Sequence, residues 1–145
     1  MDKYALLHRL NPSHWPEWKD HIAPGRESEV WFETGKCRPS EITSGLPVFV
    51  LGTSPHGLLA AGETVSAAEL KKDPLWHLAP VSEQARYKEP RFRVRVRLRS
   101  VNVPRSALLK NPEVSRLPNT ARAATNWLRS HQHSALVQLV KAHGG

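Results

Sequence analysis

The residues of this chain that could take part in catalysis or metal binding do not form a recognisable motif. The sequence has eight histidines and a single cysteine, Cys37. His131 and His133 are two residues apart on a predicted helix, so their side chains point in different directions and make poor joint ligands. Lys36 and Arg38 flank Cys37 and are expected to favour its thiolate, but no partner motif completes a nucleophilic site. The sequence therefore predicts no metal, no cofactor and no catalysis by this chain.

Two other groups of residues suit the binding of a negatively charged polymer that carries flat rings. Five tryptophans offer ring faces, and stacking on such faces contributes about 1–3 kcal/mol per base. The stretch RFRVRVRLRSV alternates arginine with apolar residues, which is typical of a strand with two different faces. One of those faces carries Arg91, Arg93, Arg95, Arg97 and Arg99. Alternate guanidinium groups, about 6.6 Å apart on a strand, can follow a sugar-phosphate backbone, and the alternative is a solvated outer face.

The positive charge is confined to the second half of the chain. The formal net charge is +8. Residues 1–85 contain 8 basic and 11 acidic residues, whereas residues 86–145 contain 13 basic and 2 acidic residues. Such asymmetry indicates a polyanionic partner, most simply nucleic acid, because each neutralised phosphate releases counterions. The alternative is a basic surface that only aids solubility.

Alternating apolar residues and glycine turns predict a sheet, and the chain ends in a helix. The predicted strands are Tyr4–Leu10, Glu29–Thr34, Pro47–Gly52, Leu58–Val65 and the arginine-rich stretch. Three helices are also predicted. The first begins near Ser13 and packs Trp15 and Trp18 in the core, and the second lies within residues 120–129. The third has Ser130 as its N-cap and ends at Gly144. SAAELKKDP is predicted to form one or two helical turns, and residues 71–90 to form a long connection. This order predicts an α+β fold, a curled sheet or barrel flanked by short helices.

Length and composition favour one domain over residues 1–145. A chain of 145 residues can bury roughly 70% of the surface of its unfolded form. No apolar run approaches the roughly 20 residues of a membrane span, and no signal peptide is recognisable. A lone cysteine agrees with a reducing compartment, so we expect a cytoplasmic protein.

Three segments resemble the EVE family, a branch of the PUA-like superfamily that includes the YTH, ASCH and SRA-like domains. They are W-F-E-T-G at residues 31–35, I-T-S-G-L-P-V-F-V-L-G-T at residues 42–53 and H-G-L-L-A-A-G-E-T-V-S at residues 56–66. The resemblance covers roughly residues 4–142. The family's Gly-Asp turn is replaced by Gly45-Leu46, and its Arg-Gly by His56-Gly57. The resemblance implies a PUA-like barrel flanked by helices.

The resemblance also implies a function: recognition of a modified base that is flipped out of DNA, such as 5-methylcytosine, as in modification-dependent restriction systems. The chain would then be the recognition domain of a longer protein, or the partner of a separate nuclease. Two alternatives remain, an RNA-binding domain that reads a modified RNA base and a protein-interaction or dimerisation module. ASCH-type hydrolysis would need a lysine-and-acid constellation that the sequence does not offer.

By the same resemblance Trp31 is a wall of the base pocket, although without the resemblance it would be expected to fill the barrel. Trp76, in the long connection, is predicted to close the other side, and Thr34 and Gly35 to contact the base edge, where glycine permits close approach. Trp127 is expected to pack in the core. The residues predicted to contact the nucleic-acid backbone are Lys36, Arg38, His56, Arg91, Arg93, Arg95 and Arg97.

Overall fold

The structure, a computed structural model, describes residues 3–10, 30–73, 76–78, 81–120 and 125–143. The strands are β1 (Ala5–Leu10), β2 (Val30–Glu33), β3 (Pro47–Gly52), β4 (Leu58–Thr64), β5 (Glu69–Lys71), β6 (Arg91–Val103) and β7 (Thr125–Leu128). The α-helices are α1 (Gln84–Lys88), α2 (Arg105–Lys110), α3 (Leu117–Thr120) and α4 (Ser130–Ala142). Single 3-10 turns occupy Pro39–Glu41, Trp76–Leu78 and Val81–Glu83.

The strands form one curled sheet in the order β2-β6-β4-β3-β1-β7, and β5 pairs with the beginning of β6. The β1–β3 pair is parallel and the other pairs are antiparallel. The two ends of this order, β2 and β7, meet where the Thr125 hydroxyl donates a 2.5 Å hydrogen bond to the carbonyl oxygen of Glu33. The predicted α+β fold with a curled sheet and a C-terminal helix is confirmed.

Alternation along the strands gives the sheet two apolar faces, because successive side chains point to opposite sides. The inner face encloses one buried cluster, which includes Phe32, Val50 and Val96. The outer face carries a second cluster, in which Leu136 of α4 packs with Leu7. The C-terminal helix thus covers the outer face of the strands around β1 and β3.

Four strands predicted from alternation are present within one residue of their predicted bounds, and the arginine-rich strand is present but extends two residues further, to Val103. Two predicted helices are wrong. Residues 69–71 form β5, which pairs with Arg91–Arg93, and residues 125–128 form β7, which pairs with β1. Both segments are short, so pairing with a neighbouring strand overrides their local preference for helix.

The predicted ends of the helices are only partly described. Ser130 is the first residue of α4, and Arg129 rather than Ser130 is its N-cap. The predicted helix with Trp15 and Trp18, and the predicted stop at Gly144, lie outside the described residues. In the part of the chain that the structure describes, no helix has the length and apolar character needed to cross a membrane.

Candidate nucleic-acid interface

A tight turn after β2 brings the end of this strand onto β7. Gly35 has a φ of +56°, a left-handed conformation that glycine adopts without steric cost. A Cβ atom at this position would lie 2.7 Å from the backbone nitrogen of Thr125. The amide of Cys37 donates to the carbonyl of Thr34 at 2.9 Å and closes the turn. Glycine is therefore required here both by the turn and by the approach of β7.

Buried polar groups hold this junction together beneath the surface. The Thr125 hydroxyl donates its proton to the Glu33 carbonyl, so it can only accept a hydrogen bond from His8. The Nδ1 atom of His8, 3.1 Å from the hydroxyl oxygen, is therefore the donor. Burial lowers the pKa of His8 to about 3, which keeps the ring neutral. That ring stacks on Phe32 with centroids 3.8 Å apart and an interplanar angle of 5°. His8 is thus a fixed hydrogen-bond donor in the core.

An open cleft of about 510 Å³ lies at the end of β2 and the start of β6. This volume is within the roughly 300–1,000 Å³ of ordinary ligand sites. Its lining consists of Glu33, Thr34, Gly35, Cys37, Pro39, Arg86, Arg91 and Phe92. The Phe92 side chain is 46% exposed, and across the β5–β6 pair it neighbours Leu70, which is also exposed. The cleft therefore offers an accessible aromatic ring beside polar and charged groups.

The charged side chains of the cleft are held in fixed positions. Arg86 Nη2 and Arg91 Nη1 each donate to the Glu33 carboxylate at 3.0 Å, one to each oxygen. The second Arg91 terminus donates to Glu89 at 3.0 Å. The hydrogen bond to Glu89 and the charge of Glu33 raise the pKa of Arg91. The Glu33 carboxylate in the cleft is thus paired with two guanidinium groups rather than left unpaired.

Of the four residues predicted to form the base pocket, the structure brings only Thr34 and Gly35 to this cleft. Trp31 points to the outer face of β2, is 9% exposed, and carries the Lys71 Nζ atom 4.0 Å from its ring centroid. Lys88 Nζ similarly lies 4.1 Å from the ring centroid of Trp76. Each lysine therefore covers one face of an indole ring.

The predicted arginine face exists, but its members have different environments. Arg93 is 0% exposed, so its predicted contact with a polymer would require the surrounding structure to move. Its Nη1 atom donates to the carbonyls of Lys71 at 2.5 Å and Glu89 at 3.0 Å. Nε and Nη2 are buried and find no acceptor among the described residues. Arg95 is half-buried opposite Trp31, whereas Arg97 is exposed and lies 3.8 Å from Glu63.

The remaining predicted contacts fall in three places. Lys36 and Arg38 are exposed on the turn beside the cleft. His56 lies in the β3–β4 connection, where its carbonyl accepts from Arg105 Nη1 at 3.2 Å, and Gly57 there touches Val103 at the far end of β6. His56 is therefore not at the cleft mouth.

The expected thiolate character of Cys37 is wrong. Burial raises the pKa of this thiol to about 11, and Sγ contacts the Thr125 carbonyl at 3.7 Å. Within the described ranges no cluster of three or more His, Cys, Asp and Glu side chains could hold a metal ion. Trp127 is half-buried against the inner cluster, as expected for packing.

Sequence reasoning assigned Phe92 to the apolar face of the arginine-rich strand but not to a site. Its position could have indicated a site, because Phe92 is the second residue of that strand. The sheet ends there, so a ring that faces inward is left exposed. Arg86 gave no signal, because its role depends on the fold of α1 against β2. The same holds for His8 and Thr125, which are 117 residues apart in sequence.

No family model and no curated protein matches the sequence. Solved structures do resemble the fold. A Pseudomonas putida protein is 16% identical with a TM-score of 0.59, and the alignment covers 93% of this chain and 98% of that one. A serine-to-alanine mutant of ZmASCH from Zymomonas mobilis is 16% identical with a TM-score of 0.55, covering 95% and 97%. The Pho92 YTH domain in complex with m6A is 14% identical with a TM-score of 0.57, covering 97% and 86%.

These likenesses show the fold. The chain is a curled mixed sheet with short helices and a C-terminal helix, an arrangement that it shares with the ASCH and YTH neighbours. Membership of the EVE branch in particular stays a prediction.

Proposed function

We propose that this chain is a nucleic-acid-binding domain that reads a modified base. The observation that carries the proposal is the cleft at the end of β2, which is lined by the exposed Phe92 and by Glu33, whose carboxylate is paired with two arginines. The PUA-like fold and the concentration of basic residues after position 85 support the same class of partner.

The cleft can compensate for the cost of unstacking a base. Extruding a base from a duplex costs a few kcal/mol, and stacking on an aromatic ring returns about 1–3 kcal/mol. We assign this stacking to Phe92, with Thr34 and Gly35 lining the cleft next to it. Trp31 joins as a second wall only if the Lys71 ammonium leaves its ring face.

Glu33 gives the cleft a preference among bases. A carboxylate accepts hydrogen bonds from an exocyclic amino group, such as N4 of cytosine, and cannot pair with a carbonyl edge. Arg86 and Arg91 hold the Glu33 oxygens in place. We therefore expect bases that carry an amino group, cytosine or adenine, to be accepted, with the apolar modification against Phe92.

Contacts to the backbone would come from the cations around the cleft. Lys36 and Arg38 are exposed on the turn itself, and Arg97 is exposed further along β6. Such contacts add affinity that is independent of sequence and sensitive to salt. Arg93 takes no part, because it is buried.

We take DNA as the polymer, following the resemblance to the EVE family. An RNA reader is the second candidate, favoured by the neighbour whose structure contains m6A. In either case a nuclease would be a fused or separate partner, and this chain would supply recognition.

A binding screen tests the proposal. Matched duplexes and single strands of DNA and RNA would carry 5-methylcytosine, 5-hydroxymethylcytosine, N6-methyladenine or no modification, and fluorescence anisotropy would report affinity. We expect one modification to bind at least tenfold more tightly than the plain base. Equal affinity for all modified and plain oligonucleotides would contradict base reading.

A further inference from the structure

A second cleft, of about 270 Å³, lies between α4 and the outer face of the sheet. Its floor is apolar and includes Phe49, Ala61 and Val137. Arg99 of β6 and Lys141 of α4 also line it, and both side chains are exposed. This cleft plays no part in the base-reading site described above.

The lining fits an anion that also has an apolar face. No carboxylate is among the residues that line this cleft. His133 lines it too, and burial lowers the pKa of its imidazole, so at neutral pH the positive charge comes from Arg99 and Lys141. A sugar-phosphate unit has the required two sides, because the sugar ring can lie on the floor while the phosphate meets two cations.

Strand β6 connects this second cleft to the cleft at the end of β2, which is called the base cleft from here on. Arg91 lines the base cleft and Arg99 the second one. Eight residues of strand separate them, a distance of about 26 Å. On one strand of a duplex this distance corresponds to about 8 nucleotide steps of 3.4 Å.

We propose that the second cleft is a flanking backbone site, in which Arg99 and Lys141 bind a phosphate about 8 nucleotides from the base that is read. The proposal rests on the proposed function, since it places the same polymer in both clefts. It adds a minimum length for full affinity, which base reading alone does not require.

Hairpin duplexes of two lengths test this site. The modified base that the screen selects, or the plain base, is placed at the centre with five or twelve base pairs on each side, about 17 Å and 41 Å. The short duplex cannot span the two clefts, whereas the long one can. The variant is Arg99→Gln with Lys141→Gln, and the matched control is Lys110→Gln with Arg116→Gln, which removes two cations near α2 and α3.

We expect the wild type to bind the long duplex about tenfold more tightly than the short one, a gain that the Arg99 and Lys141 variant loses and the control keeps. On the long duplex, losing this one phosphate contact should reduce the salt slope by about 1. An equal loss on both lengths, or a loss no larger than in the control, would overturn the flanking site.

The two proposals can fail separately. A wild type that distinguishes modified from plain bases but ignores length overturns the flanking site alone. A wild type that shows the length effect but binds modified and plain duplexes of the same length equally tightly overturns base reading and supports the flanking site. The absence of all binding overturns both.

Discussion

The outer face of β6 is covered by polar, hydrogen-bonded groups at one end and by aliphatic side chains at the other. At its start, Arg93 is buried beneath the segment that includes Lys71 and α1 and is held by carbonyl oxygens. Toward its end, the strand meets the apolar cluster in which Val103 packs with Leu108 and Leu136. One strand thus crosses a polar, hydrogen-bonded region and an aliphatic one.

The difference separates the part that positions the site from the part that stabilises the fold. Aliphatic burial is non-directional and tolerates small shifts, so it stabilises without fixing a geometry. A buried guanidinium is costly unless its partners are in place, and it therefore constrains the groups around it. Arg93 donates to the carbonyls of Lys71 and Glu89, and the Glu89 carboxylate in turn accepts from Arg91, which lines the base cleft.

The aliphatic end should give the largest loss of stability. Leu136 is fully buried in the outer cluster, and Leu136→Ala should lower the free energy of unfolding by about 3 kcal/mol, through lost burial and the cavity left behind. Urea denaturation measures this value. A loss as small as that of Leu109→Ala, at the 45% exposed Leu109, would show that α4 contributes little.

The polar end should lose less stability but more local order. Arg93→Ala removes two hydrogen bonds from a charged donor, so we expect a loss of about 2 kcal/mol. Hydrogen exchange of the amides of β5 and β6 that pair with each other should accelerate, and those of α4 should not. Arg97→Ala, at an exposed position of the same strand, is the control. Uniform acceleration across both ends would remove the distinction between them.

The inner face adds a dependence on pH. Burial holds the pKa of His8 at about 3 in the folded protein, below the ordinary value of 6.5 that the unfolded chain keeps, so the unfolded state binds more protons between these two values. Stability is therefore present above pH 6.5 and is lost as the pH falls toward 3. We expect a loss of about 1 kcal/mol between pH 6.5 and 5.5 from this group. His8→Gln should flatten the profile, and an unchanged slope would exclude His8 as its source.

The smallest effect concerns the lysine on Trp31. Lys71→Ala removes a cation–π contact and should cost no more than about 1 kcal/mol. If Trp31 is a second wall of the base site, the variant exposes its ring face, and affinity for the modified base should rise. Anisotropy measures the change, with Lys72→Ala, an exposed neighbour, as the control. Unchanged affinity would leave Trp31 as a structural residue of the outer face.

Alternation in the sequence was sufficient to predict the sheet and its two faces, because period-2 patterns fix which residues of a strand share a side. The arginine-rich strand shows the limit of this reasoning. Its residues share one face as predicted, but burial of Arg93 and exposure of Arg97 depend on what covers each position. The groups that cover each position belong to other elements, which the local pattern of the strand does not identify.

The lining of the candidate cleft was predicted in part. Thr34 and Gly35 follow from the turn after β2, which is a local feature. Trp31 differs, because its orientation on the outer face places it beneath Lys71, a residue of a strand that the sequence did not predict. Phe92 became a candidate only when the structure placed it at an open cleft beside Glu33.

The most direct test of base reading compares Phe92→Ala with Leu109→Ala, two exposed apolar residues of similar exposure, 46% and 45%. Anisotropy titrations would use the modified duplex and its plain counterpart. We predict that Phe92→Ala lowers the preference for the modified duplex at least about fivefold, since stacking contributes about 1–3 kcal/mol, while salt-sensitive binding to plain DNA and the preference of Leu109→Ala stay unchanged. A Phe92→Ala protein that folds and keeps the full preference would contradict the account.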